Sequence, residues 1–233
     1  MSTRSKAIFS QEALQFLCDL DKNNNRNWFQ ERKEFFESEV RAPVLTLAER
    51  VNEVLANVAP DFVTDPKKSV MRIYRDTRFS ADKRPYKNHM AAQFYRTGTE
   101  LPSSGFYIGI YLDQVVVGSG VYYLMSQQYT AMRAYLAEHY KELTRLTKGY
   151  ELMGESLQRP PKGFPADHPA IDLLKKKQWM LHKLWPPDFA TDSKFPSSVL
   201  TEVKRMAPFA SFLDVPLKAL DRKLAKDPLR AKA

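Results

Sequence analysis

The spacing of the apolar residues changes twice along this chain, and this change constrains the fold more than any other feature. Over the first 60 residues apolar side chains recur every three or four positions, as Val44, Leu47 and Val51 do, which is the period of an amphipathic helix. Between residues 71 and 123 they alternate with polar residues or form short continuous runs, which is typical of strands. The helical period returns after Ser126. The sequence therefore predicts an α+β fold in which an antiparallel sheet is flanked by N-terminal and C-terminal helices.

Residues that are typical of helix ends and turns locate the individual helices and strands. Ser10 is a typical helix N-cap, and Pro43 predicts a kink or a restart because a proline inside a helix removes a backbone donor. Asp113-Gln114 is the predicted two-residue turn of a hairpin. The predicted helices begin after Ser10, cover 28–40 and 44–59, begin at the cap Ser126, cover 172–177 and begin at Pro196. The predicted strands are 71–79, 91–95, 106–112, 115–123 and 179–185.

No internal repeat or low-complexity linker divides the chain. We therefore predict a single domain over residues 1–220, followed by a basic tail over 221–233 that we expect to be frayed. Residues 107–125 are nearly as long and apolar as a membrane span, but the polar turn at Asp113-Gln114 and the β-branched composition favour the hairpin. No secretory signal precedes the first helix. We expect a cytoplasmic protein with no membrane association.

Composition excludes several classes of site. The single cysteine, Cys18, leaves no internal disulfide framework and no Cys-rich zinc site, and its place on the apolar stripe of the first helix favours a buried, inert thiol. The four histidines have no metal-ligand spacing, so no metal is predicted. None of the eight glycines belongs to a nucleotide-binding loop motif. The sequence thus identifies no cofactor and does not decide whether the protein is an enzyme.

The positive charge is concentrated in one block. The chain carries 36 Lys and Arg against 27 Asp and Glu, a net charge of +9. Residues 67–96 alone hold nine basic and two acidic residues, a net of +7. A concentrated excess of this kind predicts an electrostatic footprint for an anionic partner. We expect that partner to be a phosphate-bearing small molecule or the backbone of a nucleic acid.

The predicted strand and turn in this block suggest how an anion is held. On a strand over 71–79, Arg72 and Arg78 share one face, whereas Arg75 points to the apolar side, where arginine is seldom buried unless it is paired. Arginine forks bind phosphate or carboxylate oxygens in pairs, and lysine adds a mobile charge. The predicted anion-binding residues are Arg72, Arg75, Arg78, Lys83, Tyr86 and Lys87, with Asp76, Asp82 and His89 as accessory residues.

Two other interpretations of the same block stay open. In the first, the arginines clamp the phosphorylated or carboxylated substrate of an enzyme, and His89 or Tyr86 moves a proton. In the second, the Arg and Asp residues only tie the strand to the helices. The protein is then an interaction module whose partner contacts Trp28, Phe35 and Phe36.

Aromatic residues are frequent in the predicted strands. Base-stacking sheets have this composition, although alternating strand aromatics are more often part of a core. The spacing alone leaves both interpretations open. The aromatic residues concerned are Phe106, Tyr107, Tyr111, Tyr122 and Tyr123.

The basic block also carries the pattern Arg72-x-x-Arg75-Asp76-x-Arg78-Phe79-x-x-Asp82-Lys83-x-x-Tyr86. This pattern resembles the hallmark of an uncharacterised family of bacterial and fungal proteins of about this length, a domain of unknown function. The resemblance implies a single domain, and it implies no particular reaction, cofactor or catalytic residue. It extends from about Phe9 to Phe212 and includes Asn24-Asn25-Arg26-x-Trp28-Phe29, Pro161-Lys162-Gly163-Phe164 and Asp167-His168-Pro169.

Overall fold

The N-terminal third of the chain folds into helices, as the sequence predicts. The computed structural model describes residues 7–99 and 101–225. Helix α1 (Gln11–Lys22) begins after Ser10, whose hydroxyl accepts a hydrogen bond from the N–H of Ala13 at 3.1 Å. It is followed by α2 (Arg26–Glu31), the short α3 (Lys33–Phe35), a π-helical turn (Phe36–Arg41) and α4 (Ala42–Val58).

The restart predicted at Pro43 takes the form of this π-helical turn. The N–H of Ala42 bonds to the carbonyl of Glu37, one residue further back than in an α-helix. Pro43 then lies in the first turn of α4, where proline is tolerated. A 3₁₀ turn (Pro60–Phe62) and the four-residue α5 (Pro66–Ser69) lead to the sheet.

The middle of the chain contributes most of a five-stranded antiparallel sheet with the order β1-β2-β3-β5-β4. The hairpin predicted around Asp113-Gln114 is confirmed, because β2 and β3 pair antiparallel and the N–H of Tyr111 bonds to the carbonyl of Gln114 at 2.9 Å. The predicted strand over 179–185 is also confirmed, whereas the two-residue β4 is not predicted by the sequence. The strands are β1 (Met90–Tyr95), β2 (Gly105–Ile110), β3 (Val115–Val121), β4 (Leu152–Met153) and β5 (Trp179–Trp185).

The predicted strand over residues 71–79 is wrong. This segment forms one isolated bridge, from Tyr74 to Tyr86, and Phe79 at its end is 95% exposed. The side chain of Asp76 accepts a hydrogen bond from the backbone N–H two residues further on, at 3.2 Å, and this local bond turns the chain. The alternation of polar and apolar residues is therefore present without a continuous ladder.

Two helix boundaries also differ from the prediction. Ser126 is the first residue of α6 (Ser126–Leu146) and not its cap, because the N–H of the preceding Met125 donates to the side chain of Gln128 at 3.0 Å. The helix predicted over 172–177 is the shorter α7 (Ile171–Leu174). Both differences amount to a few residues and leave the order of elements unchanged.

The last helix is longer than predicted. Helix α8 (Phe195–Ala225) begins beside the predicted Pro196 and continues through Pro208 and Pro216. Residues 221–225 of the predicted tail belong to this helix, and residues 226–233 lie outside the described residues.

One face of the sheet is buried against the helices. Its strand residues, such as Phe94, Ile108 and Val117, are at most 2% exposed. Helix α8 lies on this side, where the hydroxyl of Ser104 donates to the carbonyl of Ala210 at 2.7 Å. The predicted α+β class is confirmed. Within 7–99 and 101–225, no helix is both long and apolar enough to cross a membrane.

A buried ionic cluster ties the end of α8 to the sheet. Nε of Arg96, just after β1, lies 2.8 Å from Asp214, and the same guanidinium also pairs with Asp221. The Asp214 side chain is fully buried, and this burial raises its pKa. Nζ of Lys218 lies 3.7 Å from the same carboxylate. Removing one member of such a cluster leaves the opposite charge buried and uncompensated.

We expect Arg96→Ala to lower the free energy of unfolding by about 3–5 kcal/mol, because it strips a buried carboxylate of its cation. Urea unfolding followed by circular dichroism measures this loss. Arg145→Ala is the matched control, since Arg145 pairs with Glu142 on an exposed surface of α6 and its removal should barely change stability. Equal losses in the two variants would contradict the structural role given to Arg96.

Candidate functional site

The basic block folds into a loop, residues 70–89, which we call the basic loop. Backbone hydrogen bonds join its two arms, from the N–H of Arg75 to the carbonyl of Pro85 (2.9 Å) and from the N–H of Lys87 to the carbonyl of Ile73 (2.8 Å). The loop leads directly into β1 at the edge of the sheet. Its charged side chains divide into those that have partners in the protein and those that do not.

Arg75 and Arg84 bind the loop together through Asp82. Nη1 of Arg75 lies 2.5 Å from Oδ2 of Asp82, and Nη2 of Arg84 lies 2.9 Å from the same oxygen. Arg84 also reaches Asp21 of α1 at 2.9 Å. The hydrogen bonds from Arg75 and Arg84 lower the pKa of Asp82, so this carboxylate is charged at neutral pH. Arg84, which the sequence did not single out, completes the link from the loop to the helices.

Arg78 and Lys83 are engaged within the loop. Arg78 donates to the two oxygens of Asp76 at 3.0 and 2.7 Å, an exposed pair that lowers the pKa of Asp76. Nζ of Lys83 donates to the carbonyl of Thr77 at 2.9 Å. Together with Arg75, these residues are three of the six predicted anion ligands, and all three have a partner inside the loop.

Tyr86 lies in the core. Its ring is 2% exposed and stacks on Phe29 of α2 at 4.2 Å between centroids. Its backbone N–H and carbonyl both bond to the side chain of Asn24, each at 3.0 Å. Tyr86 therefore anchors the basic loop to the N-terminal helices, and its ring is not presented at the surface. Of the two residues predicted for proton transfer, this leaves His89 in an accessible position.

Arg72 and Lys87 are the two cations of the basic loop that have no partner among the described residues. Neither side chain makes a hydrogen bond or ion pair with the described residues, although Arg72 is near enough to Asp76 to help lower the pKa of that carboxyl. Partial burial and the charge of Arg72 lower the pKa of Lys87. Partial burial and the charge of Lys87 lower the pKa of His89. Arg72 and Lys87 therefore form a positive pair with His89 beside it, and we call the three residues the Arg72–Lys87–His89 cluster.

The sheet face opposite the helices carries no charged side chain within the paired strands, and we call it the open face. Apart from the buried Val116, its large side chains are half-exposed or exposed, with Tyr95 at 46% and Leu184 at 49%. A solvent-facing side of an antiparallel sheet is usually polar. The strand residues of the open face are Ala91, Gln93, Tyr95, Gly105, Tyr107, Gly109, Val116, Gly118, Gly120, Met153, Met180, His182 and Leu184.

An aromatic layer crosses the open face next to the Arg72–Lys87–His89 cluster. His89 stacks on Tyr111 with 4.4 Å between ring centroids and 21° between the planes. The hydroxyl of Tyr111 is hydrogen-bonded to that of Tyr107. Burial, together with this hydrogen bond, raises the pKa of Tyr107, so its hydroxyl stays protonated at neutral pH. The cluster and the aromatic layer form one continuous surface.

Some of the strand aromatics belong to the core, and others lie at the surface. Phe106 is 2% exposed on the core face, whereas its neighbour Tyr107 is half-exposed on the open face. Tyr122 and Tyr123 are exposed just after β3. The sequence signal that marks the open face is the alternation of glycine with tyrosine, as in Gly105, Tyr107, Gly109 and Tyr111, which the aromatic pattern alone does not separate from the core.

A separate groove of about 690 Å³ lies on the N-terminal helices. Trp28 and Phe35 line it and are half-buried, whereas Phe36 is 3% exposed and belongs to the core. Two of the three residues predicted for an interaction module are thus at the surface. The rim carries the carboxylates Glu12, Asp19, Glu31 and Glu34.

The fold and the site define an α+β protein with a sheet covered on one side and a basic loop at its edge. The chain belongs to the family described as conserved hypothetical protein (DUF2461), which matches residues 12–212. This match confirms the resemblance seen in the sequence. A comparison with curated proteins gave no match. Among the described residues, no group of three or more His, Cys, Asp or Glu side chains is placed to hold a metal ion.

We expect Asp82→Asn to destabilise the protein at neutral pH, because the lowered pKa of Asp82 means that its charged form stabilises the fold. That contribution is present above the ordinary pKa of about 4 and fades as the pH falls further, so the difference in Tm between wild type and variant should narrow from about pH 7 to about pH 3. Thermal unfolding at the two pH values measures it. Asp113→Asn, in the exposed hairpin turn, is the control and should show no such difference. A difference in Tm between wild type and Asp82→Asn that stays constant with pH would contradict the ionic role of Asp82.

Proposed function

We propose that this protein binds a phosphate-bearing ligand at the Arg72–Lys87–His89 cluster. The observation that carries the proposal is the presence of two neighbouring cations without a carboxylate partner among the described residues. Every other cation of the basic loop, namely Arg75, Arg78, Lys83 and Arg84, is engaged by a loop or helix oxygen.

Electrostatics favour an anion at this position. Burial lowers the pKa of Lys87, and the nearby charge of Arg72 lowers it further, because two like charges held close together raise each other's energy. An anion bound between Arg72 and Lys87 removes the repulsion and gains charge-assisted hydrogen bonds. Phosphate suits the pair, since arginine offers a fork of donors and lysine a mobile charge.

The remaining residues of the predicted site support this role by holding the loop in place. The Arg75–Asp82–Arg84 pairs join the loop to Asp21, and Tyr86 is buried against the N-terminal helices. A loop fixed before the ligand arrives loses less conformational entropy on binding. The proposal thus keeps Arg72 and Lys87 as anion contacts and gives the other predicted ligands a structural role.

We expect Arg72→Gln and Lys87→Gln each to weaken the binding of pyrophosphate by about tenfold or more, since each removes one charge-assisted contact. Isothermal titration calorimetry at low ionic strength measures the dissociation constants. Lys68→Gln is the matched control, because it removes one exposed charge of the same block outside the cluster. A loss in Lys68→Gln equal to the other two would indicate a diffuse charge effect. An absence of binding to the wild type would overturn the proposal.

The same site predicts a pH dependence. The lowered pKa of His89 keeps its imidazole neutral at pH 7, so acidification below its ordinary pKa, about 6.5, adds a third positive charge to the cluster. We expect the affinity for sulfate, whose charge is constant over this range, to rise as the pH falls and to lose this rise in His89→Gln. His139→Gln, on the exposed side of α6, is the control and should keep it. Identical pH profiles for wild type and His89→Gln would remove His89 from the site.

A further inference from the structure

We propose that the open face of the sheet binds a planar heteroaromatic ring joined to the phosphate, so that the ligand of this protein is a nucleotide. The inference rests on the proposed function for the phosphate contact. It adds a second contact, between the ring of the ligand and the aromatic layer formed by His89, Tyr111 and Tyr107, and it assigns the class of ligand.

Glycines leave room for the aromatic layer. A Cβ on Gly109 would lie 2.5 Å from Cε2 of Tyr111 and 2.7 Å from Cε1 of Tyr107, so both rings reach over this glycine. A Cβ on Gly118 would lie 2.9 Å from Cδ2 of His182, which reaches over β3 in the same way. With His89 stacked on one face of Tyr111, these rings form an aromatic surface over the strands, and a planar ligand stacks on such a surface.

The chemistry of the open face fits a ring and not a second anion. Within the paired strands no charged side chain lies on this face, although 27% of the residues of the chain are charged. The charge lies at one end of the layer, where Lys87 is close enough to lower the pKa of His89 and His89 stacks on Tyr111. A ligand that spans this boundary needs a phosphate at one end and an uncharged planar group at the other. Nucleotides have this form.

Other occupants of the open face fit less well. A second copy of the chain would cover the aromatic layer but would leave Arg72 and Lys87 without an anion, unless it also brought a carboxylate to them. A stretch of single-stranded nucleic acid offers the same base and phosphate as a mononucleotide, and so the two sources share one chemistry. We commit to the mononucleotide and use the others as arms of the experiment.

The experiment compares AMP with ribose 5-phosphate, which has the same phosphate but no base. We expect AMP to bind the wild type about tenfold or more tightly, since stacking on aromatic side chains contributes affinity that the sugar phosphate lacks. Tyr111→Leu and Gly109→Ala, whose added Cβ displaces the rings of Tyr111 and Tyr107, should bring AMP close to the affinity of ribose 5-phosphate and leave the latter unchanged. Tyr123→Leu, an exposed tyrosine beyond the layer, is the matched control and should change neither.

The outcomes separate the inference from the proposed function. Equal affinities for AMP and ribose 5-phosphate, with both lowered by Arg72→Gln, would overturn the ring site and keep the phosphate site. Ribose 5-phosphate binding that is insensitive to Arg72→Gln and Lys87→Gln would overturn the phosphate site itself. A short single-stranded oligo(dA) that binds far more tightly than AMP, with a log–log salt slope of about −0.7 per phosphate, would overturn the mononucleotide as the source of the base. A dimer that Tyr111→Leu dissociates would assign the open face to a second copy and overturn the inference.

Discussion

Burial of one side of the sheet against α8 and α4 is the constraint on which the rest of the structure depends. Apolar strand residues such as Phe94, Ile108 and Val117 are buried on this side, and the buried pair of Arg96 and Asp214 fixes the end of α8 to the chain just after β1. Because β1 is held in this way, the loop that precedes it has a fixed starting point at the edge of the sheet. The opposite side of the same strands remains available, and its composition is neither that of a core nor that of an ordinary solvated face.

The basic loop uses most of its charge on itself. Asp82 accepts from two arginines, and the contact from Arg84 to Asp21 carries this network to α1. The motif has six ionic residues between positions 72 and 83, and it is therefore explained mainly by the position of the loop and not by a ligand. The consequence for function is indirect, because the fixed loop holds Arg72 and Lys87 together where neither forms an ion pair with the described residues.

The sequence predicts the elements whose signals are local. The cap at Ser10, the hairpin at Asp113-Gln114 and the strand over 179–185 are confirmed, since each depends on residues within a few positions of one another. The segment 71–79 has the burial pattern of a strand, but a ladder also needs a continuous partner, and pairing partners are not visible in one segment. The two-residue β4 is too short to carry a pattern.

The sequence predicts the region of the candidate site from its charge, but it does not predict which residues of that region lack a partner. The block over 67–96 is visible as a charge excess, but the sequence cannot separate Arg72 from Arg75, because Asp21, which completes the network around Arg75, lies on a distant helix. In the same way Phe106 and Tyr107 are neighbours in sequence and face opposite sides of the sheet. Strand register decides which aromatics are core and which form the open face.

The positions of the proposed phosphate contact and of the aromatic layer favour one site over two independent ones. His89 belongs to both, since its pKa responds to Lys87 while its ring stacks on Tyr111. A phosphate that neutralises Lys87 raises the pKa of His89 toward its ordinary value, and so it changes the charge of a ring within the stacking layer. A cationic imidazole beside the bound ring adds a cation–π contact that the neutral form lacks. The two contacts are therefore coupled through one side chain, which is the arrangement expected of a ligand that carries both a phosphate and a ring.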